Sequence, residues 1–432
     1  MQIPKFTFLK VELIAGFSTF LTMSYILVLN PLLLHKVGIN LNSAYTATII
    51  TAVISTLIMA FYAKVPFAAA PVPSITTFFV SYVCLELKIP WQSALAAVFL
   101  SGILSIIMTK FAIRSKLVNR MSESDTISNG ILTALCGFLI ATGLKQAHLV
   151  DYKYGMISSF NLTNYKEAFI LLLGLLTTLI LSTKKFKTPA APLIGILFAS
   201  LLAMSFGIYS NIDALTSNKS TSSFFQMDFG YFFSNFSLEL IITVLIFFII
   251  DFFAGIGKFV GLFSAINSSN NQLENYENKF NKSLYADGFG NLVGATTGAS
   301  SVAVFVSSAV GISVGGKSGW TAFFIAIFIA LSYFLMPIIG SIPTVAISGT
   351  LIYIGFLLLP FQQIKKHSNI RLIIYLSATL LTFITYNLAL GILIVFIANT
   401  IQILKRGIIL NDSMIIIVTV LLSVAVSVKY FI

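Results

Sequence analysis

Apolar residues in this chain fall in runs of roughly 20, separated by short polar stretches, from Val11 to the C-terminus. Each run is long enough to carry a helix through about 30 Å of hydrocarbon, and no strand-like alternation accompanies them. Helical spans are predicted near residues 13–33, 44–63, 67–84, 91–110, 127–144, 167–183, 190–208, 238–264, 284–298, 300–315, 319–338, 342–360, 371–384 and 386–404, which makes fourteen. The first run, KVELIAGFSTFLTMSYILVLNPLLL, is too long for the core of a cleavable leader and reads as a retained helix. A last apolar segment, 413–432, is left over as an extra span or an interfacial helix.

Composition agrees with this pattern: 57% hydrophobic and 9% charged residues over 432 positions describe a polytopic membrane protein whose solvent is the lipid bilayer. The net charge of +12 is spread over short loops, so it reads as topology and not as a nucleic-acid partner. Basic clusters follow the fourth span (Lys110, Arg114, Lys116, Arg120), the sixth (Lys184, Lys185, Lys187), the twelfth (Lys365, Lys366, Arg371) and the fourteenth (Lys405, Arg406). All are even-numbered exits. Together with Lys5 and Lys10 they place the N-terminus and these loops in the cytoplasm, in a cytoplasmic (inner) membrane. Cys84 and Cys136 offer neither metal spacing nor a disulfide framework, and His148 and His367 sit at span ends as interfacial residues. No metal, cofactor or catalytic constellation is expected, so the chain is not read as an enzyme.

The chain looks like two copies of one plan. Residues 1–210 hold spans 1–7, 211–236 form an extracellular or periplasmic connecting loop, 237–406 hold spans 8–14, and 407–432 add the last apolar segment. In the first copy a long span precedes the small-residue stretch AAAPVPSITTFF (Ala68 to Phe79); in the second, IIDFFAGIGKFVG precedes GATTGASSVAVFVSSAVG (Gly294 to Gly311). An odd number of spans per copy inverts one relative to the other, as in transporters whose broken helices meet near mid-membrane. Small-residue stretches also serve close helix packing. Pro71 and Pro73 interrupt a continuous span, however, and suit a half-helix starting near Ser74.

The segments GFSTFLTMSYILVLNP (Gly16 to Pro31), WQSALAAVFLSGILS (Trp91 to Ser105), NGILTALCGFLIATGLKQA (Asn129 to Ala147), DFFAGIGKFVG (Asp251 to Gly261), ADGFGNLVGATTGASS (Ala286 to Ser301) and SSAVGISVGGKSGWTA (Ser307 to Ala322) resemble the nucleobase cation symporter-2 family. The likeness is nearest to its adenine/guanine/hypoxanthine permease branch. The resemblance implies an all-α, seven-plus-seven inverted-repeat transporter. It also implies a core domain of spans 1–4 and 8–11, a gate domain of spans 5–7 and 12–14, and elevator-like movement of one against the other.

The same resemblance exposes departures. The branch pattern D-x-F-D-T-x-G-T has Ala254 in place of its second acid and Lys258 in place of its last threonine. In the tenth span T-T-Y-x-E-S becomes Ala303 to Ser308, with Ser307 replacing the glutamate, and in the third A-P-G-M-G-x-N-A becomes Ala70 to Thr77. Carboxylates in a dry site accept purine N–H groups and can carry a coupling proton. Ala254 and Ser307 do neither well.

The expected substrate site therefore comprises Ser74, Thr76 and Thr77 from the third span, Ala254 and Lys258 from the eighth, and Ser300, Ser301, Phe305 and Ser307 from the tenth. Asp251 is expected to support coupling or structure. Lys258 either faces the cavity or forms a structural ion pair with Asp251, and Phe305 either stacks on a planar ring or packs. The expected function is a secondary permease of nucleobases, purine-like by resemblance. The alternatives are a member that carries a small organic or inorganic anion toward a site turned basic by Lys258, and an uncoupled, channel-like descendant. A proton or sodium ion is the expected coupling cation, and a homodimer is compatible with the fold.

Overall fold

The computed structural model describes residues 6–111, 121–153, 156–161, 163–183, 186, 188, 190–209, 222–234, 238–268, 276–335, 342–359, 369–406, 415, 416, 419, 420 and 423. The loop residues Arg114, Lys116, Arg120, Lys184, Lys185, Lys187, Lys365, Lys366 and His367 lie outside the described residues, as do most of 413–432 and half of the 211–236 connection.

Fourteen helical stretches among the described residues follow the predicted spans. Several are simple rods, such as Trp91–Lys110 and Tyr165–Ser182, apolar along their length. The spans that open the two halves are interrupted instead. The first breaks at Ser24 and Tyr25 between helices Phe6–Met23 and Ile26–His35. The eighth runs Leu238–Ile249, widens into a π turn over Ile250–Ala254 and resumes as Gly255–Ser268. Wide turns of this kind loosen the i→i+4 ladder and often sit at functional places.

The third and tenth spans are where the prolines and small residues act. A strand, Ala69–Pro71, precedes helix Pro73–Thr77, and a second strand, Val302–Val304, precedes helix Ser308–Val314. The two strands pair antiparallel, with Ala70 opposite Ala303. The third-span helix begins beside Ser74 as its prolines predict, whereas the tenth begins only at Ser308, because 302–304 is extended to complete the pairing.

Extended backbone away from water must find partners inside the protein. Side chains from neighbouring spans supply them. Thr56 accepts from the Ala69 N–H at 3.1 Å and donates to its carbonyl at 2.9 Å, while Ser308 Oγ accepts from Ala68 N at 3.0 Å. Asn291 Oδ1 accepts from Val302 N and Ser301 Oγ, both at 2.7 Å, and Asp287 Oδ1 accepts from Val304 N at 3.3 Å. Asn30 ties the first span to the second through Thr48 at 2.8 Å and receives the Thr76 hydroxyl at 2.7 Å. Backbones also approach closely: a Cβ at Gly294 would press on the Ser300 carbonyl oxygen, and the turn there puts Gly298 (φ 88°) and Ser300 (φ 77°) in the left-handed region.

Packing joins the first span to the tenth and eleventh, and the ninth to the second and fourth. The fifth span packs against the twelfth, thirteenth and fourteenth, and the sixth against the seventh and twelfth.

Candidate functional site

Immediately beyond the ribbon, the chain opens a cavity of about 530 Å³, within the range of small-molecule sites. One wall comes from the interrupted elements: Thr22 and Tyr25 at the break in the first span, Val72 to Ser74, Lys258, and Val304 to Ser307. The facing wall comes from Ser182, Ala191 and Pro192 around the connection of spans 6 and 7, and from Tyr353, Ile354 and Leu357 of span 12.

The near wall is amphipathic. Tyr25 and Phe305 stand with ring centroids 6.5 Å apart and planes at 52°, presenting aromatic surface beside the hydroxyl of Ser307. Ser307 lines the cavity, and its buried Oγ has no hydrogen-bond partner among the described residues, so its bonding capacity is unspent. Lys258 is the one charged side chain among the described lining residues, and none of them is acidic.

The lysine is nevertheless not alone. Two carboxylates act on its amine: Asp287, fully buried on the ninth span, which also accepts from the N–H of Val304 in the cavity wall, and Asp251, 2% exposed on the same span as Lys258. Asp251 also receives the Ser105 hydroxyl at 3.2 Å. Neither carboxylate lines the cavity.

Of the nine expected contact residues, Ser74, Lys258, Phe305 and Ser307 meet at this cavity. Thr76, Thr77, Ser300 and Ser301 do not line it and are buried in the protein. Thr76 is taken by Asn30 and Ser301 by Asn291, whose amide oxygens accept their hydroxyls. The Ala254 side chain lies outside the described residues. Tyr25, Thr22 and Tyr353 were missed. They sit in unremarkable apolar runs, and only the break in the first span and the approach of the twelfth bring them to the site. Asp287 and Asn291 had a readable signal: two polar residues four apart, on one face of an otherwise apolar span.

A family model, Xan_ur_permease, described as a permease family, matches residues 10–400. A protein of Methanocaldococcus jannaschii named only as a permease is 36% identical over 203 residues, 47% of this chain and 45% of that one. A guanine/hypoxanthine permease of Bacillus subtilis is 31% identical, covering 46% of each chain, and an adenine permease of Escherichia coli is 30% identical, covering 46% and 44%. The matched stretch thus spans a little under half the length of these relatives. Among solved structures, the transmembrane domain of the cyanobacterial bicarbonate transporter BicA superimposes with a TM-score of 0.61 at 14% identity, covering 91% of this chain and 97% of that one. At that identity the likeness is one of fold.

Proposed function

Because this chain belongs to the permease family, we propose that it is a secondary transporter that carries nucleobases, purines foremost, across a cytoplasmic membrane. The observation that carries the reading is the cavity. It joins an aromatic pair, a hydroxyl with open bonding capacity and a lysine where two interrupted spans meet the ribbon. A planar base fits such a wall by stacking on Phe305 and Tyr25 and exchanging hydrogen bonds with Ser307 and Ser74.

Spans 1–4 and 8–11 act as a core that moves against a gate of spans 5–7 and 12–14, and the cavity lies between residues of the two groups. The N-terminus is cytoplasmic in this scheme. The two carboxylates behind Lys258 offset its charge and favour a neutral base over an anion. A second reading, a small anion, draws on Lys258 as the one charge among the described lining residues. Uptake of labelled adenine, guanine, hypoxanthine and xanthine into proteoliposomes decides between them. Saturable purine uptake is expected; saturable uptake of bicarbonate or a small carboxylate with none of any purine would overturn the proposal.

A further inference from the structure

Asp251 and Asp287 are carboxylates inside a membrane protein, 2% and 0% exposed. A charge so placed needs a compensating charge, since hydrogen bonds from Ser105 and from the Val304 N–H satisfy lone pairs without cancelling it. In a cation-driven carrier, such a pair next to a substrate cavity is where an exchangeable ion would bind, because buried carboxylates favour a cation and a nearby substrate can feel its charge. Here Lys258 stands between. It follows Asp251 on the same span, beyond the π turn, lines the cavity together with Val304, whose N–H Asp287 accepts, and is the charged group that meets the cavity among the described lining residues.

We propose that Lys258 is a tethered counter-cation: its ammonium fills the place beside Asp287 and Asp251 that a coupling ion would otherwise occupy, so the carrier equilibrates its substrate without an ion gradient. The inference rests on the transporter reading above. A covalently attached amine cannot be drawn from one side of the membrane and released on the other, so it stabilises the site while conferring no concentrative power. An ion approaching through the cavity meets the ammonium before it meets either carboxylate.

The primary test needs no substrate. Thermal midpoints of the purified full-length protein are measured in sodium, lithium and choline chloride at equal ionic strength. Wild type is expected to give the same midpoint in all three. Lys258→Met uncovers the carboxylates, so sodium or lithium should raise its midpoint by about 3 °C or more over choline. Lys258→Met/Asp287→Asn should lose that response. If Lys258→Met does not survive purification, recovery of folded protein from the double variant supports the proposal and failure of both overturns it. A sodium response in wild type, or its absence in a folded Lys258→Met, also overturns it.

Uptake of hypoxanthine by wild-type proteoliposomes then gives a second readout. Equal rates with and without sodium or proton gradients are expected, and accumulation driven by either gradient refutes the tethered cation. Absence of all nucleobase uptake refutes the transporter reading instead, leaving the thermal measurement to judge Lys258.

Discussion

Ser307 shows how a single side chain decides what a membrane cavity can do. Ser307 lines the cavity, its buried hydroxyl has no partner among the described residues, and it stands where the family pattern has a glutamate. A large ring there would occupy the cavity without touching the ribbon. Ser307→Trp is accordingly expected to abolish purine uptake while the thermal midpoint stays within a few degrees of wild type; normal uptake would move the site elsewhere. Phe305→Leu keeps bulk and loses the ring face. If stacking contributes about 1 kcal/mol, purine affinity should fall roughly fivefold, read by competition in the uptake assay. At this scale the sequence was half legible. Residues flagged by their chemistry, such as Lys258 and Ser307, reached the cavity, while Thr76 and Ser301, equally polar on paper, donate to the buried amides of Asn30 and Asn291.

The strand pair is the element on which the site depends. It places extended backbone in the protein interior, and Asn291 receives both the Val302 N–H and the hydroxyl of the neighbouring Ser301. Asn291→Ala leaves the Val302 N–H and the Ser301 hydroxyl buried without their acceptor, at a cost of about 2 kcal/mol or more. A lower thermal midpoint together with reduced uptake is the expected outcome; Asn291→Asp, which retains an acceptor oxygen, should recover part of both. An unchanged midpoint for the alanine variant would mean that water or a neighbour replaces the amide. The prolines and small residues announced an interruption in these spans, but the two strands come from segments more than 200 residues apart. Their pairing could not be read from local pattern, because each strand is only three residues long and is stabilised by side chains of other spans.

On the scale of the whole molecule, the cavity extends toward Ser182 and Thr188, beside the basic loop that the charge pattern assigns to the cytoplasm. Outside the cavity lining, a cluster of rings packs the end of span 13. There Tyr386 lies against Tyr152 at 4.7 Å and Phe138 at 5.0 Å, shares a 3.2 Å hydrogen bond with Thr142 and carries the Lys145 ammonium 4.4 Å from its ring centroid. This arrangement predicts an inward-open resting state. In inside-out vesicles, Cys at position 182 or 313 should react with a membrane-impermeant maleimide, in a background where Cys84 and Cys136 are replaced by Ser. The same variants should stay unlabelled in right-side-out vesicles, and the reverse pattern would invert the proposed orientation. Hydrophobic run length and composition by themselves determined the solvent, the helical class and the approximate course of fourteen spans, since burying backbone in hydrocarbon admits so few solutions. Quoted motifs carried the family. Which polar residues face the cavity, and that Asp287 stands behind Lys258, was decided only by tertiary structure. The reason is physical: a polar group inside a membrane protein can be satisfied by a substrate or by a neighbouring span, and the sequence of one span does not say which neighbour arrives.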